Sequence, residues 1–254
     1  MSNSPLVSYT KLSPNHSGQR TRKIDRITPH CVVGQCSVER LGDIFLPASR
    51  EASCNYGIGA DGRVGMYVEE KNRSWCSSSN ANDQRAVTIE CASDGAEPYA
   101  FRDVVYQSLI TLCVDICKRT GKTKLLWLED KDKTLAYTPA PDEMVLTVHR
   151  WFANKSCPGN WMYARMGDLA EKVTAQLSAG MDEEDDDMDI NKFKELWREM
   201  RKELQDNDAS AYSEEARKWA VDNGIIRGGN SDEFNGMWED MMTREQLVTV
   251  LYRF

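Results

Sequence analysis

At 254 residues with a formal net charge of −8, the chain can bury a full core and hold one domain of about 150–200 residues plus something smaller. Residues 1–180 carry 22 Lys and Arg against 20 Asp and Glu, whereas residues 181–254 carry 10 against 20. The acidic excess belongs to the C-terminal part and excludes nucleic acid as its partner; no apolar run approaches the roughly 18 residues that span a bilayer, which excludes membrane insertion.

The N-terminus, Met-Ser-Asn-Ser-Pro-Leu-Val-Ser-Tyr, has neither a basic region nor an apolar stretch after it. The expectation is synthesis in the cytoplasm without a signal peptide, so that action outside needs separate release. Short β-branched or apolar runs at 30–34, 64–68, 86–91 and 145–149 predict strands, and helical spacing predicts helices at 38–45, 102–120 and 161–177. The second helix places Val104, Val105, Leu109, Leu112, Cys113, Ile116 and Cys117 on its apolar face, with Gly121 as its stop. Asp61-Gly62 between apolar segments signals a tight turn. The expected fold is α/β, a mixed central sheet flanked by helices over residues 1–180. All eight cysteines precede residue 158, and a long chain made in the cytosol points to mostly free thiols, with a Cys31–Cys36 pair as the open alternative.

The run Asp182 to Asp187 is acidic throughout and predicts a solvated linker at 181–189. Beyond it, residues 190–254 read as a small all-α domain. Ile190, Phe193, Leu196, Trp197, Met200 and Leu204 form a helical stripe. A second helix starts near Ser213 and stops at Asn223-Gly224. A third starts at Thr243, capped with Gln246, with Leu247, Val250, Leu251 and Phe254 as its buried face. So small a domain is marginal by itself, and a partner or second copy would complete it.

His149 and Cys157 lie eight positions apart, with Lys155 between them. A neutral imidazole and a thiolate are good zinc ligands, and the chain has only 3 histidines. His16 sits in a polar stretch, a poor place for a rigid ligand, whereas His30 sits in a run that reads as a buried strand. His30, His149 and Cys157 would leave a fourth position open, the arrangement of a catalytic zinc. Lys155 can polarise a substrate carbonyl, and Glu90 ends an apolar strand pattern. Taken singly, His30 reads as a hydrogen-bonded core residue, Glu90 as a strand-end carboxylate and Lys155 as a surface lysine.

Thr28-Pro29-His30, Asn55-Tyr56-Gly57-Ile58-Gly59-Ala60-Asp61-Gly62-Arg63-Val64, Val87-Thr88-Ile89-Glu90 and His149 through Lys155 to Cys157-Pro158-Gly159 occur in that order. Together they resemble the zinc-dependent N-acetylmuramoyl-L-alanine amidases, the fold shared by phage endolysins, recycling amidases and peptidoglycan recognition proteins. The resemblance implies Zn2+ on His30, His149 and Cys157, and cleavage of the amide joining N-acetylmuramic acid to L-alanine in bacterial peptidoglycan. Phage-type members place a catalytic Tyr where this chain has Cys54, and recycling-type members use a Glu on the strand ending at Glu90. The resemblance therefore implies Glu90 as general base, with Tyr56 as second candidate on the face of Cys54, and Lys155 as oxyanion stabiliser. Asn55 and Trp75 are candidate substrate-groove residues, Trp75 reading equally as a core or rim aromatic.

The stretch Glu215 to Ile226, with Thr243-Arg244-Glu245-Gln246 and Leu251 to Phe254, resembles one S-layer homology motif. That implies binding of secondary cell-wall polysaccharide, or, as the competing reading, homo-oligomerisation. The resulting expectation is a phage or prophage endolysin made in the bacterial cytoplasm and acting at the cell wall. The alternatives are a non-catalytic peptidoglycan recognition protein and a cytosolic recycling amidase.

Overall fold

The computed structural model describes residues 2–184, 190–204, 209, 211–226 and 244–253, and the chain divides into two units, Met1–Asp185 and Asp186–Phe254. The first unit runs β1 (Val7–Thr10), β2 (His16–Gln19), β3 (Arg26–Cys31), α1 (Val38–Phe45), β4 (Tyr56–Ile58), β5 (Val64–Met66), β6 (Asn72–Ser74), α2 (Asn80–Asp83), β7 (Ala86–Cys91), α3 (Asp103–Arg119), β8 (Lys124–Leu126), α4 (Lys131–Ala136), β9 (Glu143–Leu146), α5 (Asn160–Tyr163) and α6 (Met166–Glu184). Seven strands form one sheet in the order β1-β5-β4-β7-β3-β9-β8, and β2 pairs with β6 in a second. Only β4 and β5 are antiparallel in the large sheet. This is the expected mixed sheet flanked by helices.

Alternation along the central strands sorts side chains onto two faces. Ile27, Cys31, Val87, Ile89, Cys91, Tyr56 and Ile58 join the main core with the inner faces of α3 and α6. The other face carries Thr28, His30, Thr88 and Glu90 and is covered by α2 and by α1, whose Leu41 and Phe45 pack with Cys54 and Tyr67. Gly57 lets α1 approach: a Cβ there would lie 2.7 Å from the Tyr67 ring and 2.8 Å from Leu41. The Asp61-Gly62 turn links β4 to β5, with Gly62 at φ +83, a conformation glycine adopts without a Cβ clash.

Several expected boundaries move. The strand expected at 30–34 begins at Arg26 and ends at Cys31, and the one at 64–68 ends at Met66. The strand expected at 145–149 is Glu143–Leu146, and His149 instead opens a single 3-10 turn, His149–Trp151. His16, in the stretch read as polar, lies in β2. The short pairings β1, β2, β6 and β8 carry too little apolar alternation to announce themselves. α3 ends at Gly121 as expected: the Gly121 N–H donates to the Lys118 carbonyl and the Lys122 N–H to the Cys117 carbonyl, a Schellman closure. Val105 turns inward, which leaves its neighbour Val104 44% exposed instead of on the apolar face. The helix expected at 161–177 is two helices, α5 and α6, and α6 continues through Glu184. Residues 181–184, expected in the linker, are therefore helical, because extending a formed helix is easier than starting one. Residues 185–189 lie outside the described residues.

The second unit contains α7 (Ile190–Glu203), α8 (Glu214–Asp222) and α9 (Arg244–Arg253). α8 stops at Asn223-Gly224 as expected, with Gly224 at φ +69. The Thr243 cap and Phe254 lie outside the described residues. Leu247 and Leu251, expected to be buried, are 49% and 65% exposed, and the α7 stripe of Phe193, Leu196, Trp197 and Met200 is 40–48% exposed. Short helices in so small a unit enclose little apolar surface.

Candidate metal centre and cleft

β7, β3 and β9 are adjacent, parallel strands at the heart of the large sheet, so their C-terminal ends converge. In the β3–β7 register His30 stands beside Glu90 and Cys31 beside Cys91. β9 runs alongside β3 with the Thr147 N–H donating to the Ile27 carbonyl, which delivers His149 two residues later to the same edge. The segment after the His149 turn folds back, the Arg150 N–H donating to the Cys157 carbonyl at 3.1 Å. Donor atoms of His30, His149 and Cys157 thereby lie within 4.8 Å of one another.

His30 Nδ1 is 3.3 Å from Cys157 Sγ, near the ~3.5 Å that separates two donors of one tetrahedral zinc with ordinary Zn–N and Zn–S bonds. The His30 and His149 rings meet edge-on with centroids 5.1 Å apart, and His149 Nε2 shares a 2.9 Å hydrogen bond with Ser78 Oγ. Burial holds the His30 pKa well below the ordinary histidine value, with His149 adding to it. Burial and then Lys155 also lower that of His149. Neutral imidazoles are the form a metal requires. Burial raises the Cys157 thiol well above its usual range, and a coordinated cation would reverse this by binding the thiolate. His30 Nε2 is buried without a hydrogen-bond partner. Two imidazoles and one thiol fit a borderline-soft divalent metal such as zinc.

Glu90 lies in the same cleft with Oε2 buried and unpartnered and Oε1 3.8 Å from Cys76 Sγ. Burial lifts its carboxyl to about 7, near the value that suits a proton-transfer group at neutral pH. The cleft has a volume of about 710 Å³, and Trp75, Cys76, Ser78, Arg50, Glu90, His149, Lys155 and Cys157 line it. Trp75 also donates its indole N–H to Ser17 Oγ at 2.7 Å. Beneath, the Asp83 carboxylate accepts hydrogen bonds from the Cys76 and Ser77 N–H groups and the Ser77 hydroxyl, pinning the loop that presents Ser78. His16 stays apart, its Nδ1 accepting from the Gly18 N–H.

Two expected site residues are placed elsewhere. Tyr56 pairs with Ile89, not Glu90, which puts its ring on the main-core face. Its hydroxyl donates to Glu70 at 2.6 Å and accepts from the Ser4 N–H, and it does not share a face with Cys54, which packs in the α1 cluster. Alternation fails as a guide there because β4 begins only at Tyr56. Asn55 is fully buried: its Oδ1 accepts from the Thr88 N–H and from Arg20, and its Nδ2 donates to the Val68, Glu69 and Asn72 carbonyls. No donor or acceptor remains for a substrate. Conversely, Cys76, Ser78 and Arg50 line the cleft without having been singled out. The polar run Cys76-Ser77-Ser78-Ser79-Asn80 after Trp75 was the available signal, and Ser78 holds an unusual positive φ of 60.

A family model described as N-acetylmuramoyl-L-alanine amidase matches residues 17–160. No curated protein matches the chain. Among solved structures, an AmpD derivative aligns over 64% of this chain and 93% of its own at 18% identity and a TM-score of 0.45. The endolysin N-acetylmuramoyl-L-alanine amidase LysCS from Clostridium intestinale aligns over 68% and 97% at 16% identity and a TM-score of 0.42. A mutant endolysin from Bacillus subtilis aligns over 65% and 97% at 12% identity and a TM-score of 0.42. The family match takes in more than half of the sequence and runs from β2 to the segment carrying Cys157, so the chain belongs to the N-acetylmuramoyl-L-alanine amidases, enzymes that hydrolyse peptidoglycan.

Proposed function

We propose that this amidase is a zinc enzyme of the endolysin type in which His30, His149 and Cys157 hold the metal, Glu90 moves the proton and Lys155 stabilises the oxyanion. The observation that carries the reading is the convergence, in one cleft, of three metal donors and a buried carboxylate with a free oxygen. A zinc held by these three residues would supply Lewis-acid chemistry for the hydrolysis. Glu90 takes the proton from the attacking water and passes it to the leaving L-alanyl nitrogen, so the C–N bond breaks with a neutral amine departing. Lys155, on the cleft wall, donates to the carbonyl oxygen as negative charge develops on it. Ser78 orients His149 through its ring nitrogen, and Trp75 offers an apolar wall to the glycan or peptide. Tyr56 and Asn55 act as supports of the sheet, not as groups on the substrate.

The second unit is assigned to cell-wall targeting, with residues 190–254 as an S-layer-homology-like module following a linker. Its exposed apolar side chains on α7 and α9 support a surface that meets wall polysaccharide or a second copy of the chain. Among the described residues no helix is long and apolar enough to cross a membrane, in keeping with release through a separate pore. Mass spectrometry of digested peptidoglycan tests the reaction. New L-alanyl amino ends paired with free lactyl carboxyls are expected, and new reducing sugar ends alone would overturn it.

A further inference from the structure

Arg26 opens β3 and is only 5% exposed. Among the described residues its guanidinium makes one hydrogen bond, from Nη1 to Asn82 Oδ1 at 3.2 Å, and no carboxylate lies within 4.0 Å of it. The adjacent Asp25 is engaged by Arg85 through two hydrogen bonds of 2.8 and 2.5 Å. A buried guanidinium with a single neutral partner is costly unless something else meets its charge. Burial, followed by Arg85, lowers its pKa to about 10, which still leaves it charged at neutral pH.

Arg26 lines a second cavity of about 890 Å³ together with Arg22, Lys23 and Arg85. Arg22 and Lys23 are exposed, and among the described residues neither forms an ion pair. Four cations therefore face this cavity against the single carboxylate of Asp25. Ser79 and Asn80 line both this cavity and the catalytic cleft. Arg26, Thr28 and His30 are alternate residues of one strand and so share a face, which sets Arg26 about 13 Å from His30 at the usual rise of a strand.

We propose that the cavity around Arg26 is a binding site for an oxyanion carried by the wall substrate. The planar fork of a guanidinium matches a carboxylate or a phosphate, and Arg22 and Lys23 supply further charge at the rim. The sheet face between His30 and Arg26 is filled by buried Thr28, Asn82 and Thr147, so a stem peptide whose first amide lies at the metal centre would reach this cavity over Ser79 and Asn80, which line both. The terminal carboxylate of that peptide is the first source of the anion, and a phosphate of a wall polymer is the second. The identity of the ligand rests on the amidase reading; the site itself does not.

The test compares the full-length wild type with R22Q/K23Q, in which both changes are on the surface, and with R26Q, its fold checked by circular dichroism. Soluble muramoyl tetrapeptides ending in a free carboxylate or in an amide are the substrates. Wild type is expected to show a KM about tenfold higher for the amide with kcat little changed, as the loss of one charge-assisted contact implies. Both variants should raise KM for the acid alone. If acid and amide behave alike but the variants pellet less than wild type with walls retaining their phosphate polymers, and equally with phosphate-stripped walls, the phosphate is the source and the site stands. A third arm needs no catalysis: inorganic phosphate should raise the Tm of wild type by a few degrees over chloride at equal ionic strength, and not that of R22Q/K23Q. A phosphate effect in this arm from a chain that cuts no muropeptide would sink the amidase reading while leaving the site intact. Variants that match wild type in all three arms overturn the proposal.

Discussion

At the scale of single residues, the proposed function separates three groups that could hold a metal from a buried carboxylate proposed to move a proton. His149→Ala removes one of three donors, so metal content measured by plasma emission should fall from about one zinc per chain to a small fraction, with lytic activity lost. An active His149→Ala variant would refute the metal set. Because metal binding stabilises only the folded form, chelation should also lower the Tm of wild type and have little effect on His149→Ala. Glu90→Gln is expected to keep the zinc and lose 10²–10⁴-fold in kcat, the span general-base removal commonly shows. Tyr56→Phe should do the opposite. Its hydroxyl is buried between Glu70 and the Ser4 N–H, so the change should cost about 1–3 kcal/mol of stability and leave kcat within a factor of a few. If Tyr56→Phe instead abolished turnover in folded protein, the base would have been misassigned. That His30, His149 and Cys157 could come together was legible because the chain has 3 histidines and one Cys-Pro-Gly after a histidine. The orientation of Tyr56 was not, since it depends on where β4 starts and on its register against β7.

At the scale of elements, the cleft depends on how closely α1 lies against the sheet. Gly57 sits beside Glu90 in the β4–β7 register, and a Cβ there would strike Tyr67 and Leu41. Gly57→Ala should therefore destabilise by about 1–3 kcal/mol through overpacking, read as a lower denaturant midpoint, and should also reduce kcat by displacing the strand next to Glu90. A midpoint equal to wild type would show that α1 yields freely. The long elements α3 and β7 were readable from periodicity because their buried faces repeat over many residues. Strands of three or four residues such as β6 and β8 were not, because they are held by pairing partners distant in sequence. The split between α5 and α6 belongs with them: nothing in the local pattern marks Ala164 and Arg165 as a break.

At the scale of the whole molecule, catalysis and targeting are assigned to different units. A chain ending at Asp185, where the first unit ends, should cleave soluble muropeptides with unchanged kcat/KM and pellet less with purified cell walls. Unchanged pelleting would remove the targeting role from the second unit. The acidic run and the composition change after residue 180 were visible in the sequence, whereas the continuation of α6 through Glu184 was not, because acidic residues suit a solvated helix and a linker equally.

The sequence by itself determined the chemistry available: two imidazoles, a thiol, a lysine and a strand-borne carboxylate, in the order of a known family of hydrolases. Composition and order along the chain are enough for that, since a metal selects its ligands by chemical type. The tertiary structure decided which polar groups are free to act. Glu90 and His30 keep an unpartnered atom, whereas Asn55 and Tyr56, equally polar in the sequence, are consumed by neighbours 13 to 52 positions away. Hydrogen-bond satisfaction in a core is settled by contacts distant in sequence, and local patterns do not contain them.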